Sequence, residues 1–194
     1  MERIPPLNPR EWPAELRAFF ADFRSQVHHG GPAPANTQSG INLLGTLARY
    51  PAFTMAFLPF NGHLLYGTKL TDRQRELLIL RVANRWDSDY EWAQHVVLGG
   101  NAGLGDDEIA RIATGPDAAG WTPEEAALLR AADELRGTGS VGERTWRALA
   151  VTFDEQQLMD IVFTVGTYAM LAMALRSFGV RPEPGLAPYL PVPR

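Results

Sequence analysis

An all-α fold is predicted by three features of the sequence. No stretch of any length alternates apolar and polar residues as a half-buried strand would. Apolar residues instead recur three and four positions apart in segment after segment. Helix-start signals punctuate those segments: Thr71 with Gln74, and Thr122 with Glu125, the second carrying Pro123 at the first helical position. A chain of 194 residues with 45% hydrophobic content can close one substantial core, so a single domain over residues 1–194 built of about eight helices is expected.

The opening segment to about Pro13 reads as irregular. After it, Leu16, Phe19, Phe20 and Phe23 lie at helical spacing and mark a first amphipathic helix, which Gly30, Gly31, Pro32 and Pro34 should end. Residues 41–65 read as two short, mostly buried helices broken at Pro51 and near Pro59. Thr71 opens a helix over residues 73–86 whose Leu77 to Leu80 are apolar around the whole circumference, the mark of a central helix. A break at Asp87 to Asp89 leads into another helix, for which Gly103 is a natural C-terminal cap; Gly99 and Gly100 near its end suit close backbone packing.

A helix restarts at Gly105 and Asp106, residues 115–120 form a loop, and Thr122 opens the next helix. Further helices are expected from Gly142 to Ala150 and from about Asp154 to Phe178. The tail, residues 181–194, holds five prolines in 14 residues, should not be helical, and should run over this subunit's surface or a neighbour's. A short echo, Leu70-Thr71 with Leu77-Leu78 against Trp121-Thr122 with Leu128-Leu129, recurs 51 residues on and suggests duplicated helical hairpins.

Composition removes several function classes. The 18 Lys and Arg stand against 22 Asp and Glu, a net charge of −4, with no block of like charge, so neither nucleic acid nor a membrane is expected as a partner. The most apolar stretch, Ile161 to Leu175, has 15 residues, fewer than the roughly 20 that span a bilayer, and reads as a buried helix. The N-terminus is polar and Pro-rich without the apolar segment of a secretory signal, and a cytoplasmic location is expected. There is no cysteine, which excludes disulfides, thiolate metal ligands and a peroxidatic thiol.

One constellation suggests chemistry. Glu91 and His95 are four residues apart, which on a helix sets their β-carbons about 6 Å apart. A carboxylate so placed can fix the tautomer of the ring and raise its basicity, so that it takes protons near neutral pH. Glu76 lies 15 residues before Glu91 on the apolar helix, where an ionised carboxylate needs a partner; Arg73, Arg75, Arg81 and His95 are the candidates. The same Glu91–His95 spacing also occurs on ordinary surface helices, where it contributes only a few tenths of a kcal/mol. No second histidine accompanies His95 at ligand spacing, so no metal is expected.

Residues 70–113, opening LTDRQRELLILRVANRWDSDYEWAQHV, resemble the core of the carboxymuconolactone decarboxylase and alkyl hydroperoxidase D family. The likeness extends to the N-terminal part and the C-terminal helices. In the hydroperoxidase branch the core helix pair carries a Glu, a CxxC and a His; counted from Glu76, this chain has Ser88 and Glu91 at the two Cys positions and His95 at the His position. The resemblance implies an all-helical protomer assembling into dimers, trimers or hexamers, a pocket beside the core hairpin near a subunit interface, and catalysis without metal or organic cofactor. The lost thiols put the peroxidase activity out of reach, since no side chain here can cycle through a sulfenic acid.

If decarboxylase chemistry carries over, His95 handles the proton at the carbon that loses carbon dioxide, with Glu91 and Glu76 orienting and charging it. A lactone acid substrate needs cationic or hydrogen-bonding anchors, and Arg81, Asn84, Arg85, Tyr90 and Ser88 are the polar residues nearest the pair in sequence. Arg85 reads equally as solvated surface, and Arg81, on the central helix, is the better anchor. Trp86 and Trp92 flank the same turn and wall either a pocket or plain core. His63, with Asn61 and Tyr66, follows the second break and can reach a site from a loop, whereas His28 and His29 read as ordinary loop residues.

These residues support a cofactor-free lyase or isomerase acting on a small acidic or lactone-type metabolite. The alternatives are the same scaffold redirected to another proton transfer, such as dehydration or cyclisation, and a non-catalytic oligomeric binding protein.

Overall fold

The computed structural model describes residues 2–27 and 40–191. Its described residues form nine α-helices and no strand: α1 Ala14–Val27, α2 Ile41–Leu47, α3 Pro51–Gly62, α4 Asp72–Arg85, α5 Asp89–Asn101, α6 Asp106–Thr114, α7 Pro123–Thr138, α8 Glu143–Leu149 and α9 Glu155–Phe178. The glycines and prolines expected to end α1, with His28 and His29, lie outside the described residues.

The central position of α4 follows from its sequence. Thr71 and Gln74 cap its start reciprocally, and Leu77, Leu78, Ile79 and Leu80 are all fully buried, which on 3.6 residues per turn requires neighbours on every side. Those neighbours are chiefly α5, α7 and α9. The polar residues of α4 are accommodated in pairs across the same contacts. Arg73 binds Glu108 of α6 and Glu125 of α7, Gln74 donates to Glu124, and Arg81 closes a two-pronged bond with Asp133 of α7 at 2.8 and 2.7 Å. The two helices whose starts echo one another in sequence are thus packed together and laced by polar pairs 50–52 residues apart.

The connection from α4 to α5 is a single tight turn in which Asp87 takes a left-handed conformation (φ 49°), and Ser88 stands at the α5 N-cap. Gly99 of α5 has its neighbours so near that an added Cβ would lie 3.1 Å from Leu104 Cδ1 and 3.2 Å from Leu80 Cδ1, while Gly100 faces open space. Close approach of α5 to α4 therefore rests on Gly99 alone of the two. Gly103, at φ 86°, ends α5 as expected.

Three expectations need correction. Pro59 does not break a helix: α3 runs through it to Gly62, at the expense of one backbone bond, and the irregularity follows as one π-turn, His63–Gly67. The opening segment contains a 3₁₀ turn, Pro9–Glu11, held by a capping box between Asn8 and Glu11. The tail is not wholly irregular, because Pro184–Tyr189 forms a 3₁₀ turn whose Leu186 is buried against Ala93 and Val97 of α5 of the same chain. The last helix, α9, occupies the span expected of it; at 24 residues it is long and apolar enough to cross a bilayer, yet more than half of its apolar window is buried in the core, with Asp160, Thr164, Thr167 and Tyr168 on the inward side. It packs on α4 and α7 as a core helix.

The Arg81–Asp133 bond has its charged partners largely withdrawn from water, and Arg81 Nη1 also serves the carbonyls of Ile112 and Ala113. Arg81→Ala should lower stability by about 3 kcal/mol, the lower end for losing one partner of a buried pair, because Asp133 retains some access to solvent. Urea denaturation measures it; a loss below about 1 kcal/mol would show that Arg81 is not structural.

Candidate active site

Glu76 is fully buried in the apolar girth of α4. Its charge is met from two sides: His95 Nδ1 on α5 donates to Oε2 at 2.7 Å, and Arg75 Nε donates to Oε1 at 3.0 Å. Arg75 is itself fixed by Nη1 bonds to the Leu65 carbonyl and to Asp72, each 2.8 Å. Because a carboxylate only accepts, the Glu76 bond places the proton of a neutral His95 on Nδ1 and leaves Nε2 with its lone pair. Nε2 has no partner among the described residues. His95 is 6% exposed, and the ring edge of Tyr168 on α9 meets it at a centroid distance of 5.0 Å, perpendicular. Tyr168 was not singled out in the sequence; it lies 73 residues beyond His95, and only the packing of α9 on α4 brings the two together.

Glu91 departs from expectation. Four residues before His95 on the same helix, it makes no hydrogen bond to the ring, and neither of its carboxyl oxygens has a partner. The ring turns to Glu76 instead, whose ionised oxygens are held ready by Arg75. Glu91 is 3% exposed, and burial pushes its carboxyl up to about 8, so it is a neutral acid at pH 7. The Ser88 hydroxyl is near enough to moderate that rise without reaching hydrogen-bond geometry, and is itself buried and unpartnered. The Tyr168 hydroxyl is raised well above its usual range, first by burial and then by the charges of Glu76 and Glu91.

The proposed substrate anchors are not all at this cluster. Arg81 is committed to Asp133, Ile112 and Ala113, and cannot anchor a substrate without releasing α7. Arg85 also turns to Asp133, at 3.2 Å. Tyr90 binds Glu183 and receives bonds from Leu43 N and Gln94 Nε2, so it ties α5 to α2 and the tail. His63 faces Asp160 of α9 at 3.3 Å, an acceptor shared with Thr68 and the Lys69 amide; Asn61 is the penultimate residue of α3, and Tyr66 is 62% exposed on the π-turn. Asn84, Ser88 and Trp92 line an open groove of about 970 Å³, walled by Val96, Ile109 and Tyr189. None of Glu76, Glu91 or His95 lines it. From α5, Trp92 and Val96 point to this groove, while His95 turns to α4 and α9; Ser88, at the helix start, is the residue common to the groove and the buried cluster. Among the described residues no three His, Cys, Asp or Glu side chains are grouped as a metal ion would require.

The state of Glu91 has a consequence for stability. A carboxyl whose folded pKa lies above its unfolded value holds a proton that the unfolded chain has lost, so the folded state loses ground as pH rises from about 4.5 to about 8 and no further beyond. Glu91→Gln should remove a contribution of up to about 1.4 kcal/mol per pH unit from that window. Denaturant midpoints at pH 5, 6.5 and 8 for both proteins measure it, and identical slopes would mean that Glu91 is ionised in the fold.

Residues 51–134, from the start of α3 into α7, match the profile of the Carboxymuconolactone decarboxylase family. No curated protein matches the sequence. Among solved structures, the alkylhydroperoxidase AhpD core of a peroxidase-related protein from Ralstonia eutropha superimposes with a TM-score of 0.72 at 20% identity over 100% of both chains. A peroxidase-related protein from Silicibacter does so at 0.73 and 17% identity, over 96% of this chain and 91% of that one. A variant of the debrominase Bmp8 bound to 2,3,4-tribromopyrrole reaches 0.74 at 12% identity, over 96% and 94%. The helical frame is thus shared with AhpD-like structures along the chain, and across residues 51–134 the sequence matches the carboxymuconolactone decarboxylase family.

Proposed function

We propose that the protein is a cofactor-independent acid–base enzyme, a carbon–carbon lyase or isomerase of decarboxylase type acting on a small acidic or lactone-type metabolite. The observation that carries this reading is the fully buried Glu76–His95 bond, which leaves Nε2 as the one basic nitrogen of the ring. A buried carboxylate behind an imidazole fixes its tautomer and holds its orientation, the arrangement a general base needs. Arg75, with Nε and Nη1 taken, keeps Nη2 for a substrate carboxylate and takes over the anchoring role expected of Arg81. The lack of cysteine argues against a thiol peroxidase reaction. A fold that carries a debrominase elsewhere also fits a second reading, the same dyad redirected to another proton transfer.

Turnover of γ-carboxymuconolactone, followed as lactone loss and carbon dioxide release, tests the first reading. His95→Ala should lower kcat by about 10² to 10⁴ with an unchanged far-ultraviolet circular dichroism spectrum. Wild type inactive on the lactone would move the weight to the second reading, and full activity in the variant would remove His95 from the mechanism.

The working form is a homo-oligomer, a dimer, trimer or hexamer. Phe53 and Phe60 of α3 and Phe163, Met159 and Met170 of α9 are exposed, and Phe60 meets Phe163 edge to face at 6.1 Å, so one apolar ridge runs across both helices. Light scattering should return a multiple of the 21.4 kDa chain mass, and a mass of one chain would overturn the assembly.

A further inference from the structure

Two carboxyls of the site cluster are treated in opposite ways. Glu76 receives two charge-assisted bonds, whereas Glu91, equally withdrawn from water, receives none on either oxygen. Leaving a carboxyl buried and unbonded costs the fold more than a glutamine or leucine of like volume would. Its hydrogen-bonding capacity is unused in the free protein, and Ser88 one turn earlier shows the same lack of a partner.

The groups that act on it are Ser88 on its own helix and Tyr168 from α9, and Tyr168 in turn feels Glu76, Arg75 and Tyr66 of the π-turn. Arg75 and His95 are both turned to Glu76, so no cation is placed to ionise Glu91.

We propose that Glu91 is the proton donor of the site, a neutral carboxylic acid that hydrogen-bonds the carbonyl oxygen of an unsaturated lactone and protonates it as charge develops there. The inference rests on the acid–base reading above and adds the second proton carrier and the group it addresses. In a lactone carrying a carboxylate at the γ carbon, the bond to that carboxylate breaks and carbon dioxide leaves. The electron pair passes through the ring double bond to the carbonyl oxygen, and that oxygen takes the Glu91 proton. His95 Nε2 takes a proton from water as carbon dioxide leaves and delivers it to the α carbon of the resulting enol, the enol O–H proton returns to Glu91, and His95 is left neutral again. One proton is consumed for each carbon dioxide released, and no electron acceptor is needed. Two proton carriers of opposite resting state, one basic and one acidic, are what such a transfer requires at a single pH.

The test uses the simple butenolide, which has the carbonyl but no carboxylate to lose, bound to the full-length protein and observed by infrared spectroscopy. With wild type, its carbonyl stretch should shift to lower frequency at pH 6.5 and return toward the free value as pH passes about 8, where Glu91 ionises. In Glu91→Gln, which retains an N–H donor but no transferable proton, the shift should be independent of pH, and kcat on γ-carboxymuconolactone should fall by about 10² to 10⁴ with KM little changed. No binding, or a carbonyl shift in wild type that ignores pH, would overturn the proposal even if the lactone is turned over, and would leave the Glu76–His95 dyad standing. The expected shift without turnover of γ-carboxymuconolactone would support Glu91 as donor and reject the decarboxylase reading instead.

Discussion

The structure depends on how Glu76 is buried. A carboxylate at the centre of a helix that is apolar on all sides is tolerated only if its charge is met by groups that arrive in the right place. Here they arrive from two directions: His95 from α5 and Arg75 from the same helix one residue earlier. Each demand propagates. For His95 to reach Glu76 at 2.7 Å, α5 must lie close along α4, and Gly99, one turn beyond His95, removes the side chain that would keep them apart. For Arg75 to turn inward, its outer nitrogen must be held by the Leu65 carbonyl, which fixes the π-turn before α4. The bond proposed to serve proton transfer is therefore also a bond on which the packing of the core hairpin rests.

The other charged residues of α4 solve the same problem by a different route. Arg73 and Arg81, two turns apart on the side facing α7, extend to Glu125 and Asp133, residues that stand on α7 in the same relative positions. That correspondence explains why a faint 51-residue echo in the sequence has a structural meaning: the repeat units pack against each other and exchange polar pairs across their interface. It also explains why Arg81 was misread as an anchor. An arginine on a central helix beside a catalytic motif can serve a ligand or a neighbouring helix, and only the identity of the facing residue decides.

The frame was legible because it rests on local signals. Capping boxes at Thr71 and Thr122, the uniform apolar run 77–80, and Gly103 set boundaries to within a residue or two, and the Glu76–His95 relation was visible through the family spacing. What was not legible depends on which of several neighbours a side chain chooses. Spacing made Glu91 and His95 partners; the ring chose Glu76, since an ionised carboxylate backed by Arg75 is a stronger acceptor than a neutral one in an apolar setting. Tyr168, 73 residues away, and the buried turn of the tail over α5 follow from tertiary packing that no local pattern records.

Ser88 and Glu91, which the spacing matches to the thiol positions of the hydroperoxidase branch, both differ in chemistry from a thiol. Ser88 has a hydroxyl that cannot be oxidised as a thiol is, and Glu91 has a proton it keeps near neutral pH. Both remain buried beside a histidine whose carboxylate support is intact. Had the site been abandoned, mutation would be expected to replace an unbonded buried carboxyl with an apolar residue, because that change stabilises the fold, and to relax the charged bond at Glu76 as well. The dyad persists with an acid one turn away from it. The physical cost of Glu91 is borne in the free protein, and on the proposed reading it is recovered when a group that accepts its proton or its hydrogen bond is present. That asymmetry between the two carboxyls is the strongest argument that this cluster does chemistry and is more than a remnant of shared packing.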